Sequence, residues 1–126
     1  MRKMDRESEK KFSKRSLPRE VKLTVEAGLE KKGEDIVVLD LRNLASFTDY
    51  FVILQGNSDR QNRAIYESIE QKLKQENLRP LSIEGKKNAE WILLDYGNFI
   101  VHIFSKEARE YYLLEKLWGD SPRLSY

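Results

Sequence analysis

Two runs of consecutive apolar residues constrain the fold of this chain most strongly. Residues 36–39 are Ile-Val-Val-Leu, and residues 50–54 are Tyr-Phe-Val-Ile-Leu. Apolar runs without polar alternation are typical of strands that are covered on both faces. The sequence therefore predicts a sheet with further structure packed on each side.

Three other segments have helical spacing. The first begins at Pro18, carries Val21 and Val25 one turn apart, and ends near Gly33. Ser58, with Gln61 three residues later, has the pattern of a capping box and predicts the start of a second helix. Ser105 is the expected N-cap of a final helix, in which Ala108, Tyr111, Leu114 and Trp118 fall near one stripe.

Three further strands are expected at residues 81–83, 91–96 and 99–104, the last two joined by a tight hairpin at Gly97-Asn98. The chain therefore predicts one α/β domain at residues 18–120, with a five-stranded mixed sheet and flanking helices. Its length favours a single core. Residues 1–17 are expected to form a basic, disordered extension, and residues 121–126 a C-terminal tail.

The charge is distributed unevenly along the chain. Residues 1–15 carry seven basic and three acidic side chains, a net charge of +4, which leaves −2 for the rest of a chain whose total is +2. Basic arms of this kind often contact RNA or DNA, but a solvated extension without a role is equally compatible. A slightly acidic body is not typical of a nucleic-acid-binding domain.

Composition excludes several classes of function. The chain has no cysteine, so a disulfide framework, a thiolate zinc site and a cysteine nucleophile are all excluded. No apolar run approaches the roughly 20 residues of a membrane-spanning helix, and no secretory signal follows the charged N-terminus. We expect a soluble, cytoplasmic protein that does not bind a membrane.

The sequence predicts no catalytic residue, no metal site and no cofactor. Gly56 and Ser58 are separated by Asn57, and no Asp-x-Asp pair follows them to hold magnesium, as phosphoryl transfer would require. Glu84 and Asp95 are better explained as hydrogen-bonded or solvated carboxylates than as metal ligands. His102, the only histidine, lies on an apolar strand, which favours a hydrogen-bonded structural role over proton transfer.

Trp91 is the strongest candidate for partner binding. On a strand, Trp91, Leu93 and Asp95 share one face, whereas Ile92 and Leu94 share the other. If helices cover the Ile92 face, the Trp91 face presents an aromatic anchor with a carboxylate at its rim, a combination typical of interface hot spots. The alternative, in which Trp91 packs under a helix or in a homodimer contact, stays open.

Eight segments together resemble the ribosomal silencing factor family, RsfS, also called Iojap. The similarity covers roughly residues 18–118, and it is the order and spacing of the segments that make it specific. The segments are Asp35–Asp40, Thr48–Ile53, Gly56–Ser58, Glu84-Gly85, Ala89–Trp91, Leu94–Gly97, Val101–Phe104 and Arg109–Trp118.

The resemblance implies an α/β domain similar to the nucleotidyltransferase fold but without its catalytic motif. It also implies binding to the large ribosomal subunit through the fourteenth protein of the large-subunit series, close to the face that meets the small subunit. Subunit joining would then be blocked sterically and translation repressed. Family members have been seen as homodimers. Our hypothesis is that the partner-binding surface consists of Glu84, Gly85, Trp91, Leu93 and Asp95.

Two alternatives from other classes remain open. The basic N-terminal arm favours a nucleic-acid-binding module, for which ribosome association would depend on the arm and on salt. The fold analogy alone favours a nucleotidyltransferase-like enzyme, and a fold does not determine a function.

Overall fold

The structure, a computed structural model, describes residues 11–126. It contains helices α1 (Arg19–Glu30), α2 (Asp59–Lys74), α3 (Lys106–Tyr112) and α4 (Leu114–Leu117), and strands β1 (Glu34–Asp40), β2 (Tyr50–Gly56), β3 (Ser82–Glu84), β4 (Trp91–Asp95), β5 (Phe99–Ser105) and β6 (Arg123–Ser125). The described residues therefore form an α/β domain, as predicted. No helix among them has the length and apolar character needed to cross a membrane.

The strands form one mixed sheet in the order β3-β4-β5-β2-β1-β6. β2 and β5 are parallel, and all other neighbours are antiparallel. The prediction of five strands was wrong: the sixth is β6, which pairs with β1 through Leu124 opposite Val38. The predicted C-terminal tail thus contributes an edge strand. Its single apolar side chain between Arg123 and Ser125 gave no alternation from which a strand could be inferred.

One face of the sheet is covered by α1 and α2. Val21 and Val25 from α1 and Ile65, Ile69 and Leu73 from α2 pack there against the sheet, and all five are buried. Every residue of β2 is buried, which confirms the prediction of a strand covered on both sides. We call this side the helix-covered face.

The opposite face carries a smaller core. Val37, Leu39, Phe51, Ile53, Ile100 and Phe104 are buried there, with Ala108 from α3 and the partly buried Trp91, Leu93, Leu114 and Trp118 packed around them. Its cover consists of the short helices α3 and α4 and the segment before β2. We call this side the aromatic face.

The predicted helix caps are confirmed. Ser58 Oγ accepts a hydrogen bond from the Gln61 backbone N–H at 3.0 Å, and Ser105 Oγ accepts one from the Ala108 N–H at 3.1 Å. The prediction of a single final helix was wrong, because the structure has two short helices there. Leu113 adopts a left-handed conformation (φ 53°, ψ 40°), which ends α3 and turns the chain before α4. Within α3, Ala108 is buried, whereas Tyr111 is exposed.

The predicted N-terminal extension lies only partly within the described residues. Residues 11–17 contact the domain: Phe12 stacks on Tyr50 with ring centroids 6.3 Å apart, and Leu17 is buried. The expectation for residues 1–10, which include all three acidic side chains of the predicted extension and four of its basic ones, falls outside the described part of the chain.

Candidate partner-binding site

The five residues predicted to bind a partner lie together at one edge of the sheet. β3 is the edge strand and pairs with β4, which places Glu84 opposite Leu93 and Ser82 opposite Asp95. Ile83 packs into the core of the helix-covered face, so Ser82 and Glu84 point to the aromatic face. Trp91, Leu93 and Asp95 alternate with the buried Ile92 and Leu94, as predicted. We call Glu84, Gly85, Trp91, Leu93 and Asp95 the edge patch.

Trp91 is partly exposed and held by rings on three sides. Its ring centroid lies 4.9 Å from Phe104, 4.7 Å from Tyr112 and 5.9 Å from His102. Its indole Nε1–H donates a hydrogen bond to His102 Nδ1 at 3.1 Å. The indole therefore has a defined orientation, with one part packed and another part accessible at the sheet edge.

Gly85 brings the loop after β3 close to the backbone of Trp91. Its φ is +83°, and a Cβ at this position would lie 1.9 Å from the Trp91 carbonyl oxygen. The Ala89 N–H donates to the Gly85 carbonyl at 3.0 Å, which closes the loop in front of β4. Glycine is required here because a side chain would push the loop away from Trp91.

The two carboxylates of the edge patch have different surroundings. Glu84 is exposed, whereas Asp95 is partly buried, and its Oδ1 accepts a hydrogen bond from the Gly97 N–H at 2.8 Å. That bond supports the β4–β5 turn, in which Gly97 has a φ of +90°. Asp95 therefore has a structural role in the hairpin, and Glu84 is the more accessible charge.

His102 is a buried, hydrogen-bonded residue, as predicted. It is 3% exposed and lies edge-on to Phe51 with ring centroids 4.4 Å apart. Burial lowers the pKa of His102 to about 3. The neutral imidazole can accept at Nδ1, and its Nε2 is buried without a partner among the described residues.

A row of aromatic rings begins at Trp91 in the edge patch and runs across the aromatic face beyond it, and sequence reasoning missed most of this row. Phe47 and Tyr112 are 56% and 48% exposed and lie at its two ends. Successive members are 4.4–6.1 Å apart; they are Phe47, Trp118, Phe51, His102, Trp91 and Tyr112. The contact between Trp91 and His102 could have been predicted from the sequence. A two-residue turn at Gly97-Asn98 implies a register in which Trp91 lies diagonal to His102.

The described residues offer little for catalysis. They contain no group of three or more His, Asp or Glu side chains that could hold a metal ion. The hydroxyls of Ser58 and Ser105 are engaged as helix caps. A partly exposed tryptophan beside further exposed aromatic side chains on an α/β domain has the composition typical of a partner-binding surface.

Comparison with known proteins identifies the family. Residues 14–126 match the family described as "Ribosomal silencing factor during starvation", RsfS, and the chain belongs to this family. The ribosomal silencing factor RsfS of Bacillus subtilis is 41% identical over 102 residues, which cover 81% of this chain and 86% of that protein. A crystal structure of a Chromobacterium violaceum protein superposes on this chain with a TM-score of 0.78 at 37% sequence identity. The superposition covers 79% of this chain and 83% of the Chromobacterium chain.

A more distant relative has a name that refers to one ribosomal subunit. The mouse protein "Mitochondrial assembly of ribosomal large subunit protein 1" is 35% identical over 92 residues, which cover 71% of this chain but only 40% of that protein. The Bacillus and mouse relatives are named as ribosomal factors, not enzymes, which agrees with membership of a family of ribosomal silencing factors. Similarity to the nucleotidyltransferase fold stays a prediction.

Proposed function

We propose that this protein binds the large ribosomal subunit through the edge patch and so prevents the small subunit from joining. The contact would be made with the fourteenth protein of the large-subunit series, and repression of translation would follow. The observation that carries the proposal is the partly exposed Trp91, which is oriented by its neighbours and continuous with the exposed Tyr112. Membership of the silencing-factor family and the mouse relative's name support the choice of partner.

The chemistry of the edge patch suits a protein partner with basic side chains at its rim. Trp91 and Leu93 supply apolar area that water would leave on docking, and Glu84 supplies an exposed negative charge beside them. Steric exclusion requires no turnover. A rigid domain bound on the joining face occupies space that the incoming subunit needs.

Sedimentation tests the proposal directly. The protein is mixed with purified large subunits, small subunits and joined ribosomes, and its position in a sucrose gradient is measured. We expect the protein to comigrate with large subunits, and not with small subunits or joined ribosomes. A second assay measures the yield of joined ribosomes when large subunits are saturated with the protein. Normal yield would overturn the steric mechanism, and absence from the large-subunit peak would overturn the choice of partner.

RNA contact by the basic N-terminal arm is a second candidate interaction. The net charge of +4 in residues 1–15 favours it. Replacing the seven basic side chains of this segment with Gln, and its three acidic side chains Asp5, Glu7 and Glu9 with Asn or Gln, removes the charge but keeps Phe12, which packs on Tyr50. If the arm carries binding, this variant loses most of its affinity and nearly all of its salt dependence. Unchanged affinity would assign binding to the folded domain.

The free protein is a candidate homodimer that uses the same apolar surface. Trp91, Tyr112 and Leu117 leave apolar area exposed in one copy, and a second copy could cover it. Light scattering across a concentration series measures the mass. If the dimer covers the edge patch, adding large subunits converts it to bound monomer. A constant monomer mass would exclude dimerisation.

A further inference from the structure

His102 raises a question that packing alone does not answer. It occupies a central position in β5 with only 3% of its surface exposed. Its neighbours are aromatic: Phe51, Phe104 and Trp91 lie 4.4, 6.1 and 5.9 Å away. An apolar side chain of similar volume would fill this space without the cost of burying two ring nitrogens.

One ring nitrogen of His102 has a hydrogen-bond partner in the protein. Nδ1 accepts from the Trp91 indole at 3.1 Å, whereas Nε2 has no partner among the described residues. With Nδ1 as the acceptor, the proton of the neutral ring must lie on Nε2. Among the described residues, the hydrogen bond to Trp91 is therefore the protein contact that an imidazole makes here and an apolar side chain could not.

The bond joins a buried residue to a partly exposed one. Leu93 lies opposite His102 and Trp91 lies opposite Phe104, so the two rings meet on a diagonal between β4 and β5. A tryptophan at a sheet edge can rotate about two side-chain torsions. The hydrogen bond fixes the nitrogen edge of the indole, while Phe104 and Tyr112 contact the ring at 4.9 and 4.7 Å.

We propose that His102 is a positioning residue, which holds the indole of Trp91 in the orientation that the partner recognises. The inference rests on the proposed function of the edge patch. A side chain that is already ordered in the free protein loses less conformational entropy on binding, so the complex is tighter than with a freely rotating indole. His102 itself need not touch the partner.

The pairing can be tested first in the unaltered protein. In ¹⁵N NMR spectra, His102 is expected to show a protonated Nε2 and an unprotonated Nδ1 from pH 5 to pH 8. Of the two indole N–H signals, that of Trp91 should exchange slowly with solvent, and the Trp118→Phe variant assigns it. A proton on Nδ1, or rapid exchange of the Trp91 indole, would overturn the pairing whether or not any variant folds.

Two substitutions test the effect on binding. His102→Leu removes the acceptor, and we expect its Kd for large subunits to rise about fivefold, the ratio that corresponds to one ordinary hydrogen bond. His102→Asn places an amide oxygen near the position of Nδ1 and should restore most of the affinity, although it fills the core less well. Ile103→Val, on the helix-covered face of the same strand, controls for lost stability and should bind normally.

The outcomes separate the two proposals. Equal affinity of His102→Leu and the unaltered protein overturns the positioning role and leaves the docking proposal intact. Equal weakening by Leu and Asn also overturns it, because a general packing defect then explains the loss. Failure of the unaltered protein to bind large subunits overturns the docking proposal itself, while the NMR signals still report whether the pair exists.

Discussion

The two faces of the sheet are built differently. On the helix-covered face, a 12-residue and a 16-residue helix bury a row of aliphatic side chains almost completely: Val21, Val25, Ile65, Ile69 and Leu73. On the aromatic face, helices of seven and four residues leave Phe47, Tyr112 and Leu117 between 48% and 74% exposed. The first arrangement maximises burial, whereas the second keeps large apolar surfaces available. We infer that stability depends mainly on one face and recognition on the other.

The largest effect on stability is expected on β4, where neighbouring residues point to opposite faces of the sheet. Ile92→Ala should lower the free energy of unfolding by about 3–4 kcal/mol, because Ile92 is fully buried on the helix-covered face. Leu93→Ala should cost only about 1 kcal/mol, since Leu93 is partly exposed. Chemical denaturation measures both values, and large-subunit binding should fall only for Leu93→Ala at equal folded concentration. Similar stability losses would remove the distinction between the faces.

Acid should destabilise the protein through His102. Its pKa is about 3 in the folded state and 6.5 in the reference state, so below about pH 6.5 the unfolded chain takes up a proton that the folded protein excludes. This contribution lowers stability progressively from pH 6.5 towards pH 3 and amounts to about 3 kcal/mol at pH 4.

The His102→Leu variant isolates that contribution. Other acid-sensitive groups remain in both proteins. One is Glu115: burial raises its pKa, but Arg109 and Arg123 together lower it by more, so that its pKa lies below the usual value. The difference in unfolding free energy between the variant and the unaltered protein should therefore change in favour of the variant as the pH falls. Parallel stability curves between pH 7 and pH 4 would contradict the exclusion of a proton from His102.

Trp91→Ala should affect both stability and binding. Because Trp91 is only partly buried, its truncation should cost about 2 kcal/mol, below the 3–5 kcal/mol of a fully buried aromatic residue. Loss of an interface anchor should raise the Kd for large subunits about 30-fold. Trp118→Ala is the matched control. Trp118 packs on Phe47 and Phe51 away from the edge patch, so a similar stability loss with retained binding is expected.

The helix-covered face was largely predictable from the sequence, and the aromatic face was not. Continuous apolar runs and the capping box at Ser58 are local signals, and they located β1, β2 and α2 correctly. The break at Leu113 follows from a left-handed residue that is not glycine, for which no local signal exists. The alternation of β4 predicted the position of the edge patch, but the ring contacts of Trp91 also depend on Tyr112, which only the tertiary fold brings close.

The smallest stability effect and the most specific kinetic effect are expected from charge reversal in the edge patch. Glu84 is exposed, so Glu84→Lys should change the free energy of unfolding by less than about 0.5 kcal/mol. If Glu84 faces basic side chains on the ribosomal protein, reversal should slow association and alter its dependence on salt. Glu67→Lys, which makes the same charge change at an exposed position of α2 on the other side of the sheet, is the control.

Asp95 requires a more conservative substitution than Glu84, because it supports the β4–β5 turn. Lysine at this position would break the bond from the Gly97 N–H to Asp95 Oδ1 and disturb the hairpin, so a binding defect could not be attributed to charge. Asp95→Asn keeps an oxygen acceptor in place and removes only the charge. Association rates measured by stopped-flow at two salt concentrations should fall for Glu84→Lys, fall less for Asp95→Asn and stay unchanged for Glu67→Lys. If all three variants associate as fast as the unaltered protein, the charge of the edge patch does not contribute to association with the partner.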